Sequence, residues 1–373
     1  MASFLSKMST EPAPEYPAWT NQLLRIASAS AMVVTTFWLL LIGKTFLIPL
    51  VLAMALWFMI GALNGLWRRV KIAGRPIPRI LPALLSTVVI FGIVFAFLSL
   101  ITANVTSMAA SAGTYQEKLW TLYTDTLAAC GIEETTLADN LMGQIDLAQL
   151  TATIGARLSS LAGDTILIAM YVVFLLLERP FFDTKLCALV KSESKRHSIR
   201  LALRRIDHQV KVYLGVKVFV SLITAVGAYI IMRLVKLDFA EFWAVLIFAL
   251  NFIPYIGSTI ATLLPTLLAL AQFGSFTQAL IIFGGVQAIQ MTVGYVVEPT
   301  MMGNSLNISP LAVMLALTFW GLLWGITGMF ISVPITVIIM IACAHFESSR
   351  WVAVVLSKDG AVQLGDTGQT TSK

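Results

Sequence analysis

The chain has 373 residues, of which 58% are hydrophobic and 12% charged, with a mean hydropathy of +0.86. Soluble domains carry about a quarter charged residues, so this composition excludes a soluble globular protein and indicates a polytopic membrane protein. The formal net charge of +6 does not point to nucleic acid, because the positive residues concentrate in two loops, where they report topology. Cys130, Cys187 and Cys343 form no close pair and have no histidine at metal-ligand spacing, so neither a disulfide frame nor a metal site is indicated, and no cofactor is implied.

Residues 1–25 are polar and hold Pro12, Pro14 and Pro17, the composition of a tail. Ala27-Ser28-Ala29 resembles a cleavage motif but precedes the apolar run of residues 26–42 instead of following it, so that run is expected to stay as an anchor. Gly43 and Lys44 turn the chain into a second run, residues 45–66, giving a helical hairpin with Trp67 at the interface. Arg68, Arg69, Lys71, Arg75 and Arg79 fill the next loop with no acid between them, which the positive-inside rule places in the cytoplasm. A third segment, residues 81–103, completes a transmembrane scaffold over 26–103.

Residues 104–160 carry six acids against Lys118 and Arg157, as expected of a periplasmic part. Tyr115, Leu119 and Leu122 recur at helical spacing, Gly131 suits a C-cap and Asp146 an N-cap, so a small helical subdomain is predicted, with Trp120 a packing residue. Segments four and five lie within residues 161–235. Between them, Glu178 to Lys211 holds nine basic residues against four acids, again cytoplasmic. Ile199, Leu203, Ile206, Val210 and Tyr213 keep one apolar stripe while Arg200, Arg204, Arg205 and Lys211 take other faces. That pattern predicts an amphipathic helix within 180–211 lying on the membrane surface and meeting anionic lipid, at about 1 kcal/mol per basic residue.

The stretch from Phe242 to Phe346 holds one acid, Glu298, one histidine, His345, and no Lys, Arg or Asp. It is several times the ~20 residues that cross a bilayer, yet Pro254, Pro265, Pro299, Pro310 and Pro334 interrupt it together with many glycines. Backbone freed at such breaks has to be buried in protein or line a wet cavity, and paired broken segments point to a transport site. A broken-helix transport unit is therefore expected over 240–346. Residues 242–257 with 258–273, and 311–323 with 325–344, each read as two crossings or as one re-entrant hairpin. A polar tail, residues 347–373, follows.

Asn251-Phe-Ile-Pro254-Tyr-Ile-Gly257-Ser258, Val297-Glu298-Pro299-Thr-Met-Met-Gly303, Ser309-Pro310 and Phe319-Trp320-Gly321-Leu-Leu-Trp-Gly325-Ile-Thr-Gly328-Met-Phe-Ile-Ser-Val-Pro334 resemble the signature blocks of the autoinducer-2 exporter family. The resemblance extends upstream to Leu176-Leu177-Glu178 and to Tyr213-Leu214-Gly-Val-Lys217, and covers residues 25–356. One departure is Asn64-Gly65, where the family often has Asn-Pro. The resemblance implies an all-α homopentamer in the bacterial inner membrane, a cytoplasmic C-terminus and a role for Lys217.

No His-Glu-x-x-His, Gly-x-Ser-x-Gly or Walker loop is present and the three histidines are scattered, so no enzyme chemistry is indicated. The candidate pathway residues are Asn251, Pro254, Gly257, Glu298, Pro299, Lys217, Gln287 and Gln290. Hinges or helix breaks are expected at Gly303, Pro310, Gly321, Gly325, Gly328 and Pro334. Asn251 either caps carbonyls freed by Pro254 or faces a cavity, and Gln287 and Gln290 either share that cavity or bridge helices. Lys217 either snorkels to the cytoplasmic surface, pairs with Glu298 or attracts a negatively charged solute. His345 reads as an interfacial histidine. The functions in play are export of a small polar signalling molecule of the autoinducer-2 type, sodium or lithium extrusion against protons, and a non-transporting membrane partner.

Overall fold

A computed structural model describes residues 18–67, 71–72, 75–76, 80–129, 164–303 and 306–360. It is helical apart from one minimal antiparallel ribbon, in which β1 (Lys71–Ile72) pairs with β2 (Arg75–Pro76). Among the described residues, seven helices are long and apolar enough to cross a membrane. Gly131 and Asp146, expected to bound helices of an outer subdomain, lie outside the described residues.

α1 (Ala18–Ile42) begins within the stretch read as a tail. Only Gly43 separates it from α2 (Lys44–Trp67), with Gly43 N–H donating to Leu39 O and Leu47 N–H to Gly43 O. α3 (Ile80–Ala129) is a single helix of 50 residues, so the third span and the start of the expected outer subdomain are one rod. α4 (residues 164–178) leads through the 3₁₀ turn Arg179–Phe181 into α5 (Phe182–Leu189).

α6 (Glu193–Val235) continues the expected surface helix directly into the fifth span. The stripe and the fifth span form one helix of 43 residues, and Val210 and Tyr213 are buried against protein. Their apolar periodicity reflects packing on Phe58 of α2 and on a later helix, rather than lipid. Trp57 of α2 stacks under the Arg179 guanidinium at 5.8 Å, and Gly61 lies beside the Lys211 stem. These contacts gather the basic segments at one end of the molecule, here the basic end.

The charge-poor region makes two hairpins that enter from opposite ends. The first is α7 (Ala240–Leu250) and α8 (Ile256–Phe273). Its open end is tied far from the basic end: Asp238 N–H donates to Gln272 Oε1 at 2.7 Å, and Gln272 Nε2 donates to Lys236 O at 2.9 Å. α3 reaches the same place, with Tyr115 O–H donating to Asp238 Oδ2 and Lys118 Nζ to Gln272 O, both at 2.9 Å. Burial and the Asp238 carboxylate together push the Tyr115 hydroxyl well above the ordinary tyrosine pKa. α7 is ~16 Å long, half the hydrocarbon thickness, so its tip ends inside.

α9 (Phe276–Thr292) then returns toward the basic end, continuing through a π-turn, Val293–Val297, into α10 (Glu298–Met302). The second hairpin lies within α11 (Pro310–Ala344), which breaks at Gly325 (φ 63°, ψ −142°). A β-carbon on Gly328 would sit 1.9 Å from Trp320 O, although residues eight apart in a straight helix are separated by ~12 Å. The two arms, residues 310–324 and 326–344, therefore fold back on each other. Both outer ends lie at the basic end: Ser309 N–H donates to Leu356 O of α12 (Arg350–Leu356), and His345 Nε2 sits 2.8 Å from Ser198 O.

Each hairpin has its own apolar core. Ile101, Ala228, Met232, Trp243, Ile247, Leu268 and Ile282 surround the first, and Phe58, Val210, Tyr213, Ala312, Val337 and Met340 the second. α6 threads both. Burying an aliphatic or aromatic side chain of this size is worth about 2 kcal/mol in water, and inside a bilayer close packing replaces that drive. Pro265 and Pro334, expected to interrupt helices, lie inside α8 and α11 without ending them. Each removes one hydrogen bond from a helix held by packing on several sides.

Candidate functional site

The site sits where the first hairpin's tip meets α6 and α10. Past Leu250 the chain tightens through Asn251 N–H to Ile247 O, Phe252 N–H to Ala249 O and Ile253 N–H to Leu250 O. Pro254 has no N–H to continue the ladder. Tyr255 turns the chain with φ 61° and ψ −58°, and Ile256 N–H closes onto Pro254 O at 2.6 Å. That is a γ-turn of the rare, strained hand. Gly257 comes next, and a β-carbon there would stand 1.8 Å from Leu250 O. Pro254 and Gly257 together thus form the break, and Tyr255 carries strain on the order of 1–3 kcal/mol.

Lys217, on α6, is 5% exposed and is the one buried charged residue among those described. Its ammonium lies 2.5 Å from Glu298 Oε1 and 3.5 Å from Asn251 O, so it does not snorkel. The lysine-to-glutamate pairing is the alternative the structure adopts. Asn251 is the C-cap residue of α7 through its backbone, and its side-chain amide donates to Ser221 Oγ on α6 at 3.1 Å. Glu298 gains its position from the π-turn. The wider turn comes just before Pro299, which has no N–H to give to the preceding turn.

Gln290 Nε2 donates to Ser258 O, and Gln287 Oε1 accepts from Thr262 at 3.4 Å, so both glutamines bridge α9 to α8. Gly303 (φ 50°) ends α10 and Pro310 opens α11. Gly321 lies against Met329, and Gly328 against Trp320 O, so both serve the close approach of the second hairpin's arms, while Gly325 makes its turn. Pro334 lies inside α11 and does not break it.

Sequence reasoning missed Ser221 and Thr224, both buried on α6. The signal was available: Lys217, Ser221 and Thr224 recur every three or four residues on an otherwise apolar helix. It also missed the stack of Phe252 on Phe330 at 4.7 Å, which joins the two hairpins near their tips. Among the described residues no group of His, Cys, Asp and Glu is placed to hold a metal.

An ion pair on a buried lysine, flanked by broken hairpins of opposite entry, belongs to the class of multi-pass membrane transporters, in which irregular backbone inside the bilayer serves a solute path. Residues 28–348 match the AI-2E family transporter, and the chain belongs to that family. It is 35% identical over 202 residues to the AI-2 transport protein TqsA of Escherichia coli (strain K12), covering 54% of this chain and 57% of that protein. A putative transport protein of Haemophilus influenzae is also 35% identical, over 201 residues, 53% of this chain and 57% of its own. The chain thus spans little more than half the length of these two. A putative transport protein of Borreliella burgdorferi is 33% identical over 261 residues, 69% of this chain and 71% of that protein.

Proposed function

We propose that this protein exports a small polar signalling molecule of the autoinducer-2 type across the bacterial inner membrane by alternating access of the unit formed by residues 240–346. The observation that carries the reading is the Lys217–Glu298 pair beside the hairpin tip, its lysine buried and its carboxylate partly so. A carboxylate within a bilayer costs ~3 kcal/mol or more and persists where a pathway or partner needs it. The E. coli relative's name supports the solute class. Lysine, carboxylate and tip carbonyl together offer donors and acceptors to a hydroxylated solute. Homopentamer assembly, and contact of the exposed basic residues on α6 with anionic lipid, belong to the same proposal.

A second reading, extrusion of sodium or lithium in exchange for protons, draws on the same atoms, because the oxygens of Glu298 and Asn251 already surround one cation, the ammonium of Lys217. Proteoliposome flux of labelled autoinducer-2 and of labelled sodium, each with and without a pH gradient, separates the two. Autoinducer-2 flux alone supports export and sodium flux alone supports antiport. Neither flux would leave a non-transporting partner role.

The orientation is tested separately. With native thiols removed, a cysteine at Thr136 is expected to react with an impermeant reagent in intact cells, and one at Ser192 only after lysis. The reverse pattern would invert the topology.

A further inference from the structure

Tyr213 lies one turn before Lys217 on α6 and is 2% exposed. Its ring packs in the core of the second hairpin. Its hydroxyl takes no hydrogen-bond partner among the described residues. Leaving a buried hydroxyl unmet costs on the order of 1–3 kcal/mol, and phenylalanine would fill the same space without that cost. The register of α6 and α10 says what the hydroxyl is near. The two helices meet with Lys217 on Glu298, and one turn further along α10 Met302 packs into the cluster that holds Tyr213.

We propose that Tyr213 is a positioning residue for the carboxylate: its hydroxyl donates to Glu298 when the Lys217 ammonium leaves, so that Glu298 exchanges one donor for another during transport. In the present state Lys217 pairs with Oε1 of the carboxylate and the phenol stands unpaired. The exchange moves no covalent bond and needs no co-reactant. It rests on Glu298 belonging to the transport path, so the test begins with a measurement that involves no flux.

The full chain carries 3-fluorotyrosine at position 213 in lipid nanodiscs and is examined by fluorine NMR. Lys217→Met is expected to displace the resonance, as the hydroxyl turns to the freed carboxylate. Lys217→Met with Glu298→Met, which swaps the pair for apolar chains of similar size, should return it toward the wild-type position. One resonance position for all three proteins overturns the proposal, and so does a displacement that survives the double replacement, since packing would then be its source. Tyr213→Phe supplies a second reading that does not depend on those variants folding. Maximal flux of labelled autoinducer-2 should fall about tenfold, as befits one lost hydrogen bond to a charged group, with half-saturation unchanged. Unaltered maximal flux would overturn the assignment. If the wild type carries no autoinducer-2, the export reading fails while the NMR comparison still decides the role of Tyr213.

Discussion

Glu298→Gln is expected to remove the dependence of transport on proton or sodium gradients and to lower flux at least a hundredfold. The change keeps shape but leaves the Lys217 ammonium buried without its counter-charge. Removing one partner of a buried pair typically costs about 3–5 kcal/mol; the cost here should fall toward the low end, because the Glu298 side chain remains 21% exposed. Thermal unfolding of the purified protein should therefore show a clear loss. Adding Lys217→Met should restore most of that stability, because an apolar replacement of both charges is often neutral, while flux stays low. A Glu298→Gln protein that moves solute with unaltered gradient dependence would make the carboxylate structural.

Gly257→Leu should abolish flux, and even Gly257→Ala should reduce it severely. The atom that a β-carbon would meet at 1.8 Å is the Leu250 carbonyl oxygen, part of the backbone that closes the hairpin, so no rotamer change relieves the clash. Gly328→Ala is the matching test on the second hairpin, where the obstacle is Trp320 O at 1.9 Å. Gly284→Ala is the control, since its added methyl meets open space. Flux in membrane vesicles, compared at equal amounts of inserted protein, decides the matter. Normal transport by Gly257→Leu would mean that the first tip is peripheral to the path.

Much of this was legible in the residues. The absence of Lys, Arg and Asp from residues 242–346 announced a membrane unit, and Pro254 with Gly257 marked the tip of the first hairpin. Composition did not distinguish a straight helix from one folded on itself. Residues 310–344 are apolar on every side either way, and the difference lies in the backbone angles of Gly325, one of several glycines there. Proline misled at 265 and 334 because the rule describes a helix alone, whereas surrounding helices hold these in place. The stripe at Val210 and Tyr213 misled for a related reason: periodicity reports that a face is covered, not whether lipid or protein covers it. The pairing of Lys217 with Glu298 spans two distant helices, and only their packing selects it from the alternatives.

The length of α3 has a practical consequence for imaging. Fifty residues make a rod ~75 Å long, against a hydrocarbon layer of ~30 Å. Its extension is fastened to the loop before α7 through Tyr115 and to the end of α8 through Lys118. A small rigid protein grafted in helical register onto the last turns of α3 would serve as a fiducial for particle alignment.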